Sequence, residues 1–140
     1  MMRYKTRTLV LGGQPADRFI SDWLASYGTP PRYPEDTGPA EERELILDPV
    51  IFLNVWNGQI GLAAEFVLPG GRAIVVAWPH RLPQRVAQAA ERDLRAQGGA
   101  INMSGHYQIL SEEVRRFVAS RRFQDWLRQE AQRLGLEVVG

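Results

Sequence analysis

The chain has 140 residues, with 17 basic and 16 acidic side chains, a formal net charge of +1 and no cysteine. A chain of this length buries a core without covalent staples, and the missing thiols exclude disulfides, thiolate metal sites and a cysteine nucleophile. A net charge this close to zero argues neither for nor against a polyanionic partner.

The charge is unevenly spread. Residues 1–70 carry 6 basic and 9 acidic side chains, whereas residues 71–140 carry 11 and 7. Sixteen of the 17 basic residues are arginine, Lys5 being the exception. The planar guanidinium fork suits carboxylates and phosphates, although GC-rich codon usage produces the same excess. No stretch reaches the ~18 continuous apolar residues of a membrane helix. The basic N-terminal segment has too short an apolar run for a signal peptide. A cytoplasmic protein without a membrane partner is expected.

Alternation predicts a first strand over residues 3–11, with Arg3, Lys5 and Arg7 on one face and Tyr4, Thr6 and Thr8 on the other. Gly12-Gly13 ends it. Phe19, Ile20, Trp23, Leu24 and Tyr27 then recur at helical spacing, behind Pro15 and ahead of Gly28. Residues 28–44 hold four prolines and several acidic groups and read as a Pro/Gly-rich acidic loop.

From Leu45 to Trp78 the pattern is a three-stranded antiparallel meander with turns at Asn57-Gly58 and Pro69-Gly70-Gly71. A two-residue Asn-Gly turn pairs Trp56 with Gln59, Val55 with Ile60, Leu53 with Leu62 and Ile51 with Ala64. One face is then wholly apolar, running through Leu53, Val55, Ile60, Leu62, Ala64, Phe66, Val75 and Ala77. Its burial is worth a gross gain on the order of 10–20 kcal/mol. The opposite face mixes Val50, Phe52, Asn54, Trp56, Gly61, Ala63, Glu65, Arg72, Ile74 and Trp78.

A helix over residues 83–97 follows, with a thin apolar side (Val86, Ala87, Ala90, Leu94) and a basic stripe (Arg81, Arg85, Arg92, Arg95). Gly105 lies in a region suited to one or two short strands. The tail has the composition of one long helix but the periodicity of two. Val114, Phe117 and Val118 point one way, while Phe123, Trp126, Leu127 and Ala131 point roughly opposite at 100° per residue. Two helices are predicted, residues 112–119 capped by Ser111 and residues 121–134 capped by Ser120, with a last strand at 136–139.

No motif names a chemistry. The chain has only two histidines, His80 and His106, too few to define a zinc site. His106 with Glu65 or Asp48 is a candidate acid–base pair for a small hydrolase or transferase, although nothing in the spacing demands it. Gly12-Gly13 lacks the lysine and hydroxyl of a phosphate loop and reads as a tight turn. The row Arg3, Lys5, Arg7 suits the protection of a sheet edge, and the stripe Arg81, Arg85, Arg92, Arg95 suits a solvated helix face. Together they are also a candidate surface for direct nucleic-acid binding. The aromatic–arginine interleaving that favours single strands is missing from the sequence.

The expectation is a single α+β domain spanning residues 1–140. It has an antiparallel or mixed sheet of four to six strands built on the meander, with helices mainly on one face. The expected function is non-enzymatic: docking on, and regulating or inhibiting, a larger protein or nucleoprotein assembly, transcription or other nucleic-acid machinery foremost. Phe52, Trp56, Trp78 and Arg72 on the mixed face are the candidate contacts, since tryptophan is enriched at interface hot spots. The competing outcome is a tail helix covering that face with Trp126 or Trp23. No cofactor or metal is expected.

Overall fold

Asn57-Gly58 organises the main sheet. In a computed structural model, which describes residues 3–12, 22, 24, 25, 38–68 and 71–139, both turn residues have positive φ, 54° and 74°. Those are the values of a type I′ hairpin turn, whose twist matches its strands. The flanking strands β3 (Val50–Trp56) and β4 (Gln59–Leu68) pair in the expected register, Trp56 with Gln59 through to Val50 with Glu65.

A third strand, β5 (Gly71–Ala77), lies on the far side of β4. An ideal Cβ built on Gly61 would stand 2.7 Å from Val76 Cγ1 and 3.1 Å from Trp78 Cε3. These even-numbered residues therefore share the Gly61 face, as expected. The short strand β6 (Gly105–Tyr107) adds to the outer side of β3, with Asn54 opposite His106, which gives the order β5-β4-β3-β6.

The apolar face is core. Leu53, Val55, Leu62 and Ala64 are almost wholly buried, with Ile60 and Ala77 close behind. The helices pack on one side of this sheet. Helix α1 (Gln84–Ala96) buries Val86, Ala89, Ala90 and Leu94, and it ends where Gly98 and Gly99 donate back to the Arg95 and Leu94 carbonyls. The tail is indeed two helices, α2 (Glu112–Ala119) and α3 (Arg121–Arg133). Ser111 Oγ caps α2 by accepting from Val114 N at 3.4 Å, and Ser120 Oγ accepts from Phe123 N at 3.4 Å. Ser120 is extended (φ −71°, ψ 154°), so the break swings the second apolar stripe into register with the core.

The remaining described strands form a separate three-stranded antiparallel sheet in the order β2-β1-β7, from β1 (Arg3–Gly12), β2 (Gly38–Leu47) and β7 (Glu137–Val139). Tyr4 is fully buried, with its ring edge-on to Phe66 at 5.3 Å. By contacts the chain divides into two compact units, one built on residues 50–65 and 74–130 and the other on residues 2–49, 66–73 and 131–140.

The α+β class stands, with the strands parted between two sheets. Three local expectations change. Residues 38–44 are strand rather than loop: Gly38 and Pro39 begin an outer strand, where a missing N–H is tolerated, and the charged run pairs along β1. Leu45–Leu47 belong to that strand too, and Asp48-Pro49 separates it from β3 because the proline lacks a ladder donor. Finally, β1 is the central strand of its sheet, so Arg3 and Lys5 guard no edge. Of the helix expected after Gly12-Gly13, only Asp22, Leu24 and Ala25 are described, all helical. The rest, with residues 28–37 and Pro69-Gly70, lies outside the described residues.

Candidate functional site

The mixed face of the larger sheet is closed at its centre and open at its ends. Phe52 is buried, its ring 4.4 Å from that of His106, which the pairing of β6 brings diagonally across from it. Ala63 is fully buried, and the Trp78 indole lies by Gly61, where any larger side chain would collide with it. Trp56, by contrast, is 65% exposed, Val50 59% and Ile74 40%. Trp56 borders a hollow of ≈ 310 Å³ with Asn54, Val55, Ser104, Gly105 and His106. Gly105 and His106 of β6, with Ser104 just before them, complete its lining, so a very short strand shapes the surface beside the tryptophan.

The expected contacts are thus not one patch. Trp56 is presented and Trp78 is half-covered. Phe52 belongs to the interior, and Arg72 is exposed and engaged in interactions of its own. Trp126 packs against Phe123 at 5.3 Å and lines a hollow with Ala77, a residue of the opposite, apolar face. Trp23 lies outside the described residues.

The acid–base pair does not assemble. His106 stands opposite Asn54, whereas Glu65 stands opposite Val50, four residues further along β3, a separation of about 13 Å along the strand. Asp48 is held by Arg3 in a two-pronged pair, with Nε–Oδ1 at 3.0 Å and Nη2–Oδ2 at 3.2 Å. Among the described residues no group of three or more His, Asp or Glu gathers where a metal ion would be held.

The basic rows carry their own counter-charges. Lys5 lies between Glu44 (3.4 Å) and Glu137 (3.3 Å), whose hydrogen bonds and negative charges, Glu137 foremost, raise its pKa above the ordinary 10.5. Arg85 and Arg92 share Glu113 at 3.9 and 3.6 Å, and Arg95 pairs with Glu91 at 2.8 Å. The Arg7 side chain lies outside the described residues. Arg81 is exposed at the short 3₁₀ turn Pro79–Arg81, and its carbonyl accepts from Arg122 Nη2 at 3.1 Å.

That last bond marks a grouping the sequence pattern did not suggest. Arg122 also stacks over Phe117, its Cζ 5.9 Å from the ring centroid. With His80, Arg81, Phe123 and Trp126, these two residues line a hollow of ≈ 340 Å³. Aromatics and arginines do interleave, then, but in space rather than along the chain. The one linear clue is the four-residue spacing of Arg122 and Trp126, which puts them on one side of a helix. The chain matches no family model, and neither a curated protein nor a solved structure matches it.

Proposed function

We propose that this protein is a non-enzymatic interaction module that docks on a larger macromolecular assembly and regulates or inhibits it. Its contact is the open end of the mixed sheet face, around Trp56. One observation carries this reading: a tryptophan 65% exposed on a strand, beside a hollow that a partner side chain can enter. An exposed indole on a rigid strand offers large apolar area at little entropic cost, the usual composition of an interface anchor. Support for transcription or other nucleic-acid machinery as the target is the arginine excess of the second half of the chain, 11 basic against 7 acidic groups. The pairing of most of those arginines with neighbouring carboxylates favours a protein partner over bare nucleic acid for the stripe on α1. The test is affinity capture with chemical cross-linking and mass spectrometry. A stoichiometric partner cross-linked near Trp56, and lost from a folded Trp56→Ala protein, supports the proposal. A complex retained undiminished by that variant overturns it.

A further inference from the structure

The hollow between the Pro79–Arg81 turn and helices α2 and α3 has the composition of a ligand site, and it uses none of the residues of the sheet face. Its wall is aromatic: Phe117 and Phe123 meet at 5.9 Å, and Phe123 and Trp126 at 5.3 Å. The two phenylalanines are buried, whereas Trp126 is half-exposed and presents its indole. Its rim carries two guanidinium groups, those of the exposed Arg81 and Arg122, beside the exposed His80, and among the described residues no carboxylate lines the hollow. The carboxylate next to it in sequence, Asp125, is engaged by Arg121 at 3.7 Å and Arg128 at 3.5 Å. Arg122 is held in place by the Arg81 carbonyl at 3.1 Å and by the Phe117 ring, so little of its freedom remains to be lost on binding. The volume, ≈ 340 Å³, falls at the small end of the roughly 300–1,000 Å³ range of small-molecule sites.

We infer that this hollow binds one nucleotide unit. The base lies against Trp126, and the phosphate is held by the guanidinium groups of Arg81 and Arg122. Both halves of the ligand are needed to match what lines the site. A planar ring stacks on an indole whatever its substituents, and a phosphate has oxygens enough to accept from the two-pronged donors of both arginines. Two other hollows among the described residues lack this asymmetry. The one at Arg85 and Arg116 is balanced by Glu112 and Glu113, and the one at Lys5 by Glu44 and Glu137.

The experiment is a calorimetric titration of the whole protein with adenosine 5′-monophosphate, adenosine, ribose 5-phosphate and a short single-stranded oligodeoxyadenylate. The monophosphate is expected to bind, and loss of either its base or its phosphate to weaken binding about tenfold or more. Arg122→Gln and Trp126→Leu are expected to weaken it by a similar factor. Arg81→Gln, at an exposed position the fold does not depend on, is expected to weaken it as well. Trp56→Ala leaves it unchanged, so this inference and the sheet-face proposal fail separately. An oligonucleotide that binds more tightly than the monophosphate, with affinity falling steeply in salt, identifies a strand as the natural source. Equal affinities identify the free nucleotide. The inference is overturned if neither probe binds at concentrations on the order of 1 mM, if Arg81→Gln has no effect, or if a phosphotyrosine peptide binds more tightly than both. The last result would assign the hollow to a protein partner.

Discussion

Asp93 shows how one side chain fixes a connection that has no regular structure. It is 5% exposed, and its Oδ2 accepts from Leu110 N (3.1 Å), Ser111 N (3.0 Å) and Ser111 Oγ (2.9 Å). One turn later Gln97 grips the same segment, accepting from Gln108 N at 2.8 Å and donating to Gln108 O at 2.6 Å. Together they lead the chain from β6 into the Ser111 cap. Asp93→Ala leaves two backbone donors without their acceptor in a part-buried site, at about 1–3 kcal/mol each when fully buried, so a loss of about 1–3 kcal/mol is expected in urea unfolding; a loss below about 0.5 kcal/mol would show that the segment needs no such anchor. Lys5 makes a pH-dependent contribution. Its pKa is raised by Glu137 and Glu44, so the folded state binds its proton more tightly than the unfolded chain does. The stabilisation is therefore fully present below the ordinary 10.5 and disappears as pH rises through the raised value. Thermal melts of the native protein and Lys5→Met should differ at neutral pH and converge above that range, and the gap should also shrink in high salt. A gap that widens at alkaline pH would contradict the pairing.

At the scale of elements, the hairpin and the tail are the parts most easily read from the residues, each for a local reason. Asn57-Gly58 admits one turn type, and that turn fixes every pair down to Val50–Glu65. The opposed stripes of residues 114–118 and 123–131 permit no straight helix, so Ser120 had to be a joint. Ser120→Ala removes the acceptor for Phe123 N and should cost about 1 kcal/mol, measured by denaturant unfolding. An unchanged midpoint would mean that packing alone holds the joint. Gly61 tests the other side of the sheet, because its Cβ position is 2.7 Å from the Ala77 carbonyl oxygen, a backbone atom with little room to yield. Gly61→Val should cost about 1–3 kcal/mol and change the tryptophan fluorescence, since Trp78 must move. What could not be read in advance is non-local. The charged run of β2 has no apolar alternation and becomes strand only because β1 pairs with it. Likewise, β1 is central only because residues 137–139 return to its other side. Phe52 looked available because nothing in Gly105-His106-Tyr107 announces that a three-residue strand will set an imidazole against it. Arg81 and Arg122 meet 41 residues apart, a separation at which no periodicity operates.

For the molecule as a whole, the surface is shaped as much by neutralisation as by charge. Arg85, Arg92 and Arg95 of α1 and Arg3 and Lys5 of β1 sit beside carboxylates, and exposed pairs of this kind contribute about 0–1 kcal/mol each. They keep an arginine-rich chain near neutrality without defining a polyanion track. Among the described residues, two places stand out where charge or apolar surface is left unbalanced: the arginine rim beside Trp126 and the uncovered indole of Trp56. Trp56 follows from the sheet itself. It is the last residue of β3 before the turn, on the face whose centre is closed by Phe52, Ala63 and Trp78, and neither β6 nor the turn reaches over it. A side chain 65% exposed contributes little to folding, so Trp56→Ala should change unfolding free energy by less than about 0.5 kcal/mol. An interface anchor, however, costs about 2 kcal/mol or more on truncation, which is roughly a thirtyfold loss of affinity. Val50→Ala, at the opposite end of the same strand, should cost the complex less than about 1 kcal/mol. Native-like unfolding with a thirtyfold weaker captured complex is therefore the expected result for Trp56→Ala. Equal losses for Trp56→Ala and Val50→Ala would spread the contact along the whole strand and refute an anchor at the turn.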